Sequence, residues 1–424
     1  MYHARRPSPV LRGLSPIFAH SSKGGCAGRW LVVSSRLPTP PHDHDIAMND
    51  TRKLTVLAAA LAAGAIATMS ASSAQRQDAP AGAATEQRPV TAFSAIELAG
   101  PYHVVIDAQA KPALELTGER KQLAEVETVV QGDTLVVRPV PRHGFFFNFG
   151  KRRETVTVRI GAGALKRLTV AGSGDVDIDH VDGDRFTLAG NGPGDVHAGG
   201  AVRQLTVTSS GSGDLDLRRL KAADVDLALN GPGDVKLADV GNALAVQQGG
   251  SGDLVADGLR TAKVTARMRG PGDVKLSGTS RELDLEMSGS GDFEGCGLKI
   301  DGGARTVQRG PGNACVAGTL RTFDGEVDGS GELAVHGLQA ESARLRMNGP
   351  GDVRIDGNAA QLDAQIAGSG SLDGRGLTAG HADIVVHGPG TASVHVAGPG
   401  RADAQTAGRG QLLLVDRHGS HMSR

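Results

Sequence analysis

The fold is decided by a repeated unit that reads Lys263-Val-Thr-Ala-Arg-Met-Arg-Gly-Pro-Gly-Asp-Val-Lys-Leu276 in one copy. Two short runs with apolar residues at every second position flank a Gly-Pro-Gly-Asp turn. Alternation with period two places the apolar side chains on one face of a β-strand. Strands this short cannot bury that face alone, so each unit must stack on another copy of itself.

The turn Gly-[Ser/Pro]-Gly, usually followed by Asp, recurs from Gly172 onward at steps of 19 to 21 residues. A fixed period near 20 residues predicts a solenoid. The middle residue alternates between Ser and Pro from Ser173 to Pro389, and only Arg409 departs from the alternation. The first glycines of the turns are Gly172, Gly192, Gly211, Gly231, Gly250, Gly270, Gly289, Gly310, Gly329, Gly349, Gly368, Gly388 and Gly408.

Because helical periodicity is absent, these repeats predict an all-β fold, a parallel β-helix of ~20-residue Gly-[Ser/Pro]-Gly-Asp units. Glycine at both turn positions is expected to permit positive φ and close approach of successive coils. The Ser/Pro alternation leaves two possibilities open. A coil holds two units, with a 39-residue period, or single-unit coils alternate so that Pro, which lacks an N–H, never stacks on Pro.

The N-terminal part of the chain has the layout of an export signal. A basic stretch precedes the apolar run Leu54–Met69, whose 16 residues are fewer than the ~20 that a membrane span needs. Small residues follow, and we expect cleavage after Ala74. The predicted organisation is an extension or mis-assigned start at 1–47, a signal peptide at 48–74, a linker at 75–89, N-terminal strands capping the solenoid at 90–170, β-helix repeats at 171–415 and a polar tail at 416–424.

Composition excludes several classes of protein. A net charge of −1 offers no electrostatic attraction to nucleic acid. Beyond the signal, no stretch is apolar enough for a transmembrane helix, so none is expected in the mature chain. Histidines lack the spacing of metal ligands and the serines between glycines are turn residues, so we expect neither a cofactor nor a catalytic site.

The residues around the start of the array resemble a known family. The opening Phe93-x-x-Ile96-x-Leu98, the run Leu165–Val170 and the turn beginning at Gly172 are similar to the GIN domain, described as a putative auto-transporter adhesin head domain. The resemblance covers about residues 90–410. It implies a right-handed β-helix that acts in adhesion without catalytic residues.

An acidic side chain follows most of the turns, and stacked coils would place these carboxylates ~5 Å apart. One hypothesis is a ladder of divalent-cation sites built from oxygen ligands, which predicts that chelators lower the melting temperature. The hypothesis we favour is structural, with each Asp accepting hydrogen bonds from N–H groups of its own turn. The column comprises Asp175, Asp195, Asp214, Asp234, Asp253, Asp273, Asp292, Glu332 and Asp352, with Asn313 interrupting it.

Four of the nine phenylalanines, Phe145, Phe146, Phe147 and Phe149, lie within five residues and are followed by a basic run. They are the candidate partner-contact site, as an exposed aromatic tip. The alternative is a plug folded over the mouth of the solenoid.

Cys296 and Cys315 are the cysteines of the predicted mature chain and lie in adjacent units. Export permits a disulfide between neighbouring coils, and two buried free thiols are the alternative.

These features favour a structural or adhesive protein without catalytic activity, exported to the periplasm, cell envelope or cell surface. Its partner is expected to be an unknown surface or envelope ligand. The alternative function is binding or cleavage of envelope polysaccharide.

Overall fold

A computed structural model describes residues 83–141 and 155–397, together with the backbone of Ala402–Ala407, Gln411–Val415 and His421–Ser423. Their regular secondary structure is almost entirely β, with 69% of residues in strands and 1% in helix. Within them, no helix is long and apolar enough to span a bilayer.

The N-terminal part contains eight short strands and one helical turn. The elements are β1 Ala83–Arg88, β2 Ala95–Leu98, β3 His103–Asp107, β4 Ala113–Glu119, α1 Arg120–Leu123, β5 Val126–Gln131, β6 Thr134–Pro139, β7 Thr157–Gly161 and β8 Arg167–Val170. Strands β2 and β3 belong to the solenoid, whereas β4 pairs antiparallel with β1 and β7, and β5 pairs antiparallel with β6.

The repeat region forms a parallel β-solenoid of about 12 turns. Its strands are β9 Val176–Gly190, β10 Val196–Ser209, β11 Leu215–Leu229, β12 Val235–Ala238, β13 Val240–Gln248, β14 Leu254–Met268, β15 Val274–Met287, β16 Phe293–Gln308, β17 Ala314–Gly318, β18 Thr322–Val327, β19 Leu333–Met347, β20 Val353–Ile366, β21 Ser371–His387, β22 Thr391–Val396, β23 Ala402–Ala407 and β24 Gln411–Val415, and β25 His421–Ser423 pairs antiparallel with β24.

One coil holds one repeat unit. Leu254 pairs with Val274, the equivalent residue of the next unit, and Val274 pairs with Phe293 in the unit after that. This register decides between the two possible periods in favour of one unit per coil. The Ser- and Pro-containing turns therefore belong to alternate neighbouring coils.

Each coil has three straight segments, which in one coil are 254–256, 259–261 and 263–268. We call them the first, second and third segments. Side chains alternate between the interior and solvent along each segment, and the inward ones are almost fully buried, as Leu254, Val264 and Met268 show. Stacking therefore builds continuous apolar columns, which is how units too short to fold alone obtain a core.

The turn glycines are required for close approach rather than for positive φ. A Cβ on Gly252 would overlap the carbonyl oxygen of Gly233 in the preceding coil. Among the described turn glycines of the regular array, from Gly172 to Gly390, only Gly388 has a φ in the left-handed region, so the expectation of positive φ at both positions is wrong. The left-handed residues lie instead at the corner after the first segment, where Gly258 has φ 67° and Asp239 has φ 57°.

The first coil begins before the regular array. Gly100-Pro101-Tyr102-His103 forms a turn directly beneath the turn of Gly172, and a Cβ on Gly172 would overlap the carbonyl oxygen of Gly100. Strands β2 and β3 pair in parallel with β8 and β9. Pro101 thus continues the Ser/Pro alternation by one coil, with Tyr102 standing where later turns have glycine.

Candidate functional site

The acidic side chains that follow the turns form a hydrogen-bonded ladder. The backbone N–H of Asp234 donates to Oδ1 of Asp214 at 2.9 Å, and the N–H of Asp253 donates to Oδ1 of Asp234 at 2.9 Å. The same contact joins successive coils from Asp175 to Glu332, and it recurs between Asp352 and Ser371.

This ladder supports the structural interpretation of the column, with one correction. The donor is the N–H of the equivalent residue in the next coil, not an N–H of the same turn. Asn313 interrupts the series of negative charges but not the ladder of hydrogen bonds, because its Oδ1 accepts a hydrogen bond from the N–H of Glu332 at 2.9 Å. Among the described residues, the acids of this column do not bring three ligand atoms together at one point.

Cys296 and Cys315 form a disulfide between two neighbouring coils, with Cα atoms 5.2 Å apart. The two residues are not direct partners in the ladder, since Cys315 pairs with Glu294. Cys296 reaches it because the register of β16 against β17 breaks between Gly295 and Lys299. The structure thereby selects the disulfide over two free thiols.

The aromatic tip Phe145, Phe146, Phe147 and Phe149 lies outside the described residues, so its role stays a prediction. Shortly before it in the chain, Val140 is 41% exposed and is the single exposed large apolar side chain of the part that the structure describes. Large apolar side chains are therefore rare on the described surface.

A groove runs along the edge where the third segments begin. We call it the corner groove, and its floor follows one ladder column through successive coils: Arg185, Gln204, Asp224, Ala243, Lys263, Glu282, Gly303, Thr322 and Ser342. Three residues of this column, Gly303, Thr322 and Ser342, are small.

Two cavities lie on this column. One of about 630 Å³ extends from Lys263 to Ser342 and crosses five coils. The other, of about 730 Å³, lies nearer the N-terminal end and includes Arg185, Gln204 and Asp224. Volumes of this size are within the range of ligand-binding clefts.

The wall of the cavity of about 630 Å³ alternates in charge from coil to coil. Its residues are Asp284, Arg305, Asp324 and Arg344, which are consecutive partners in the ladder. Arg305 Nη1 lies 3.4 Å from Oδ1 of Asp284. Because neighbouring coils are ~4.8 Å apart, the groove offers positive and negative groups in a regular sequence.

Beside this wall, Arg309 links three carboxylates. It lies 3.0 Å from Glu286, 3.6 Å from Glu326 and 3.9 Å from Asp328. Val307 stands between Glu286 and Glu326 in the ladder and is 2% exposed, although its position faces outward. The ion pairs of Arg309 therefore span an outward-facing apolar side chain and hold this part of the surface in place.

Two coils carry the same Asp-x-Arg pair on the first segment. Both nitrogens of the Arg375 fork contact Asp373, with Nε to Oδ1 at 2.8 Å and Nη2 to Oδ2 at 2.7 Å. The guanidinium lowers the pKa of Asp373 to about 2. Arg218 acts in the same way on Asp216, whose pKa is also about 2. These carboxylates are held ionised and are ill-suited to act as general bases.

The repeat has a second regular feature, which lies outside the turn motif. A third glycine, at a fixed distance after the second turn glycine, forms the corner after the first segment in most coils. Gly258 and Gly278 are two examples, and both have positive φ. The sequence contains this signal as a second series of regularly spaced glycines: Gly200, Gly258, Gly278, Gly297, Gly318, Gly337, Gly357 and Gly376.

Comparison with solved structures finds similar proteins of low identity. A putative adhesin from Bacteroides fragilis is 14% identical, with 78% of this chain and 95% of that chain covered and a TM-score of 0.28. A putative lipid binding protein from Parabacteroides distasonis is 16% identical, with 79% and 98% covered and a TM-score of 0.29. A putative adhesin from Parabacteroides merdae is 15% identical, with 79% and 97% covered and a TM-score of 0.28. At these values the likeness carries no argument about function.

No curated protein matches the chain. The family described as "Putative auto-transporter adhesin, head GIN domain" matches it three times, at residues 92–246, 240–337 and 304–415. Those matches span the first coil, the antiparallel strands and the whole array of turns. The chain therefore belongs to the GIN domain family.

Proposed function

We propose that this protein is an exported, non-catalytic adhesin that presents the corner groove to a ligand at the cell envelope or cell surface. The observation that carries the proposal is the groove itself, which crosses successive coils with walls of alternating charge. Membership of a family described as adhesin heads supports it. The predicted signal at 48–74 supports export.

The form of the groove indicates the form of the ligand. The cavity of about 630 Å³ crosses five coils, and its wall carries one charged side chain per coil at the ~4.8 Å spacing of the coils, with the sign alternating. An extended polar polymer could contact Arg305 and Arg344 at once, and further coils would add contacts in the same sequence. Such an array distributes weak contacts along its length, whereas catalysis needs an acid, a base and a nucleophile gathered at one point.

The test compares two double variants of the mature chain for binding to cell-envelope preparations. Replacement of Arg305 and Arg344 by Ser removes the positive groups of the groove wall. The control replaces Lys275 and Arg354 by Ser, which removes the same charge from the first segments. These two residues form ion pairs with Glu294 and Glu332. We expect the groove variant to bind about tenfold more weakly and the control to bind like the wild type. Equal binding by the two variants would overturn the role of the groove.

Location is tested separately by protease treatment of intact cells. Loss of the protein from intact cells supports presentation at the surface. Protection until the outer membrane is opened restricts it to the periplasm and contradicts adhesion to external partners.

A further inference from the structure

A histidine from a third coil lies beside the disulfide. The Sγ atoms of Cys296 and Cys315 and a ring nitrogen of His336 all lie within 4.8 Å of one another. The three residues belong to β16, β17 and β19, which follow one another in the stack. In the sequence each is separated from the next by about one repeat, which does not match any familiar spacing of metal ligands. The cluster therefore exists only because of the coil register.

The imidazole of His336 is already oriented. Its Nδ1 lies 2.6 Å from Oδ2 of Asp356, and the N–H of Gly337 donates to the other oxygen, Oδ1, at 2.8 Å. Asp356 comes from the next coil along, so four consecutive coils contribute to the arrangement. A carboxylate on one ring nitrogen directs the other, Nε2, to a ligand, which is the usual arrangement around histidines that bind metals.

The cluster is accessible from solvent. The side chain of His336 is 44% exposed and that of Asp356 is 42% exposed. Cys296 is exposed and Cys315 is half-buried. Reductants and metal ions can therefore approach the cluster from solvent on the side of Cys296.

We propose that reduction of the Cys296–Cys315 disulfide converts this cluster into a zinc site, with both thiolates and His336 as ligands. Two sulfurs and one imidazole nitrogen are a common ligand set for Zn²⁺, and three protein ligands leave a fourth position for water or for a donor from a partner. Asp356 is a positioning residue that fixes the ring of His336. In the disulfide form the sulfurs carry no negative charge and the site does not bind the ion.

The conversion balances with an external dithiol as the reductant. The dithiol transfers two electrons and two protons to the Cys296–Cys315 bond and becomes a disulfide itself. Zn²⁺ then displaces the two thiol protons, which are released to solvent, and its oxidation state does not change.

The experiment uses the mature chain reduced with a dithiol, freed of it under argon and titrated with Co²⁺, a spectroscopic substitute for Zn²⁺. We expect one equivalent of Co²⁺ to give thiolate-to-cobalt charge-transfer absorption, and Zn²⁺ to abolish it by displacement. The disulfide form should give no such absorption. Reduced wild-type protein that takes up no Co²⁺ through thiolates would overturn the proposal.

Substitutions test the role of the histidine. His336→Gln should weaken Zn²⁺ binding to the reduced protein by at least tenfold, and Asp356→Asn by about 10- to 100-fold. The matched control is His197→Gln, which alters another exposed histidine near a carboxylate, Asp177 at 3.7 Å. Circular dichroism verifies that each variant keeps its fold. If His336→Gln binds Zn²⁺ as tightly as His197→Gln, the histidine is not a ligand and the proposed site is wrong.

Discussion

The ring of Phe293 occupies the interior space beside Gly295, which lies just beyond it on the same strand. A Cβ at position 295 would collide with Cε1 of that ring and would lie 2.7 Å from the carbonyl oxygen of Cys315. Phe323 and Gly325 repeat the relationship on the third segment, where a Cβ on the glycine would lie 3.0 Å from the ring. A solenoid has a nearly constant bore, so a large side chain in one column requires a small one in the next.

This relationship predicts a strong coupling between positions 293 and 295. Gly295→Leu should destabilise the protein by about 1–3 kcal/mol through overpacking, and Phe293→Val by a similar amount through the cavity it leaves. The double variant copies the Val274 and Leu276 pair of the preceding coil and should cost at least ~1 kcal/mol less than the two single changes combined. Urea unfolding of the four proteins measures the coupling. Additive costs would show that the two positions do not share one space.

The second prediction concerns the turn glycines. Gly252→Ala should destabilise the protein by roughly 2 kcal/mol or more, because the new Cβ would overlap the carbonyl oxygen of Gly233. The control is Gly249→Ala, in the same turn region, where the new Cβ would have ordinary contacts, the nearest 3.5 Å away at Oδ1 of Asn230. It should change stability by no more than ~0.5 kcal/mol. Thermal melts of the two variants distinguish them, and similar melting temperatures would contradict close approach as the reason for glycine.

The acidic ladder predicts that the hydrogen-bond acceptor, rather than the charge, matters at its positions. Asp253→Ala removes the acceptor of the Asp273 N–H, a bond of 2.8 Å, and should cost about 1 kcal/mol. Asp253→Asn should stay within ~0.5 kcal/mol of the wild type, as Asn313 fills the same role naturally. Denaturant midpoints provide the measurement. Equal losses in both variants would point to the charge instead.

Removal of divalent cations should leave the melting temperature of the disulfide-bonded protein unchanged. The carboxylate oxygens of the ladder accept backbone N–H groups from the next coil, and this use does not require a cation. Calorimetry with and without EDTA tests the expectation. A fall in melting temperature on chelation, reversed by Ca²⁺, would restore the cation hypothesis.

The last prediction concerns acid stability. The pKa of Asp373 is about 2 in the folded protein, below its ordinary 3.8, so the stabilisation is present above pH ~4 and is lost as the pH falls towards 2. Arg375→Gln should raise the pKa of Asp373 by roughly 1–2 units. The variant should be less stable than the wild type at pH 5, and the difference should vanish near pH 2. NMR titration of the Asp373 carboxyl carbon measures the pKa, with Asp216 as the internal reference that should stay at about 2. An unchanged pKa of Asp373 would contradict the role of Arg375.

The regular part of the molecule was predictable because each unit repeats the same turn motif and the same alternation of apolar residues. The Gly-[Ser/Pro]-Gly-Asp turn and the period-two strands around Val264 and Val274 predict a parallel β-solenoid, and the structure has one. The first coil was not predicted, because Tyr102 and His103 replace the second glycine and the aspartate of the turn. The turn at Gly100 is recognised as part of a coil only because the turn at Gly172 stacks on it, and this contact is not visible in the sequence.

The sequence by itself determined the class of fold, the length of the repeat and the kind of residue in each column, because these follow from periodicity and from the steric demands of a turn. Only the tertiary structure decided which residues of different coils meet. It showed one unit per coil, the Asp-to-N–H ladder, the corner groove, and the approach of His336 to Cys296 and Cys315. These depend on the register between strands, where a local break such as that between Gly295 and Lys299 moves a side chain from one column to another. Strand register is a property of the stacked coils, set by how their side chains fill a shared interior, and no single repeat contains it.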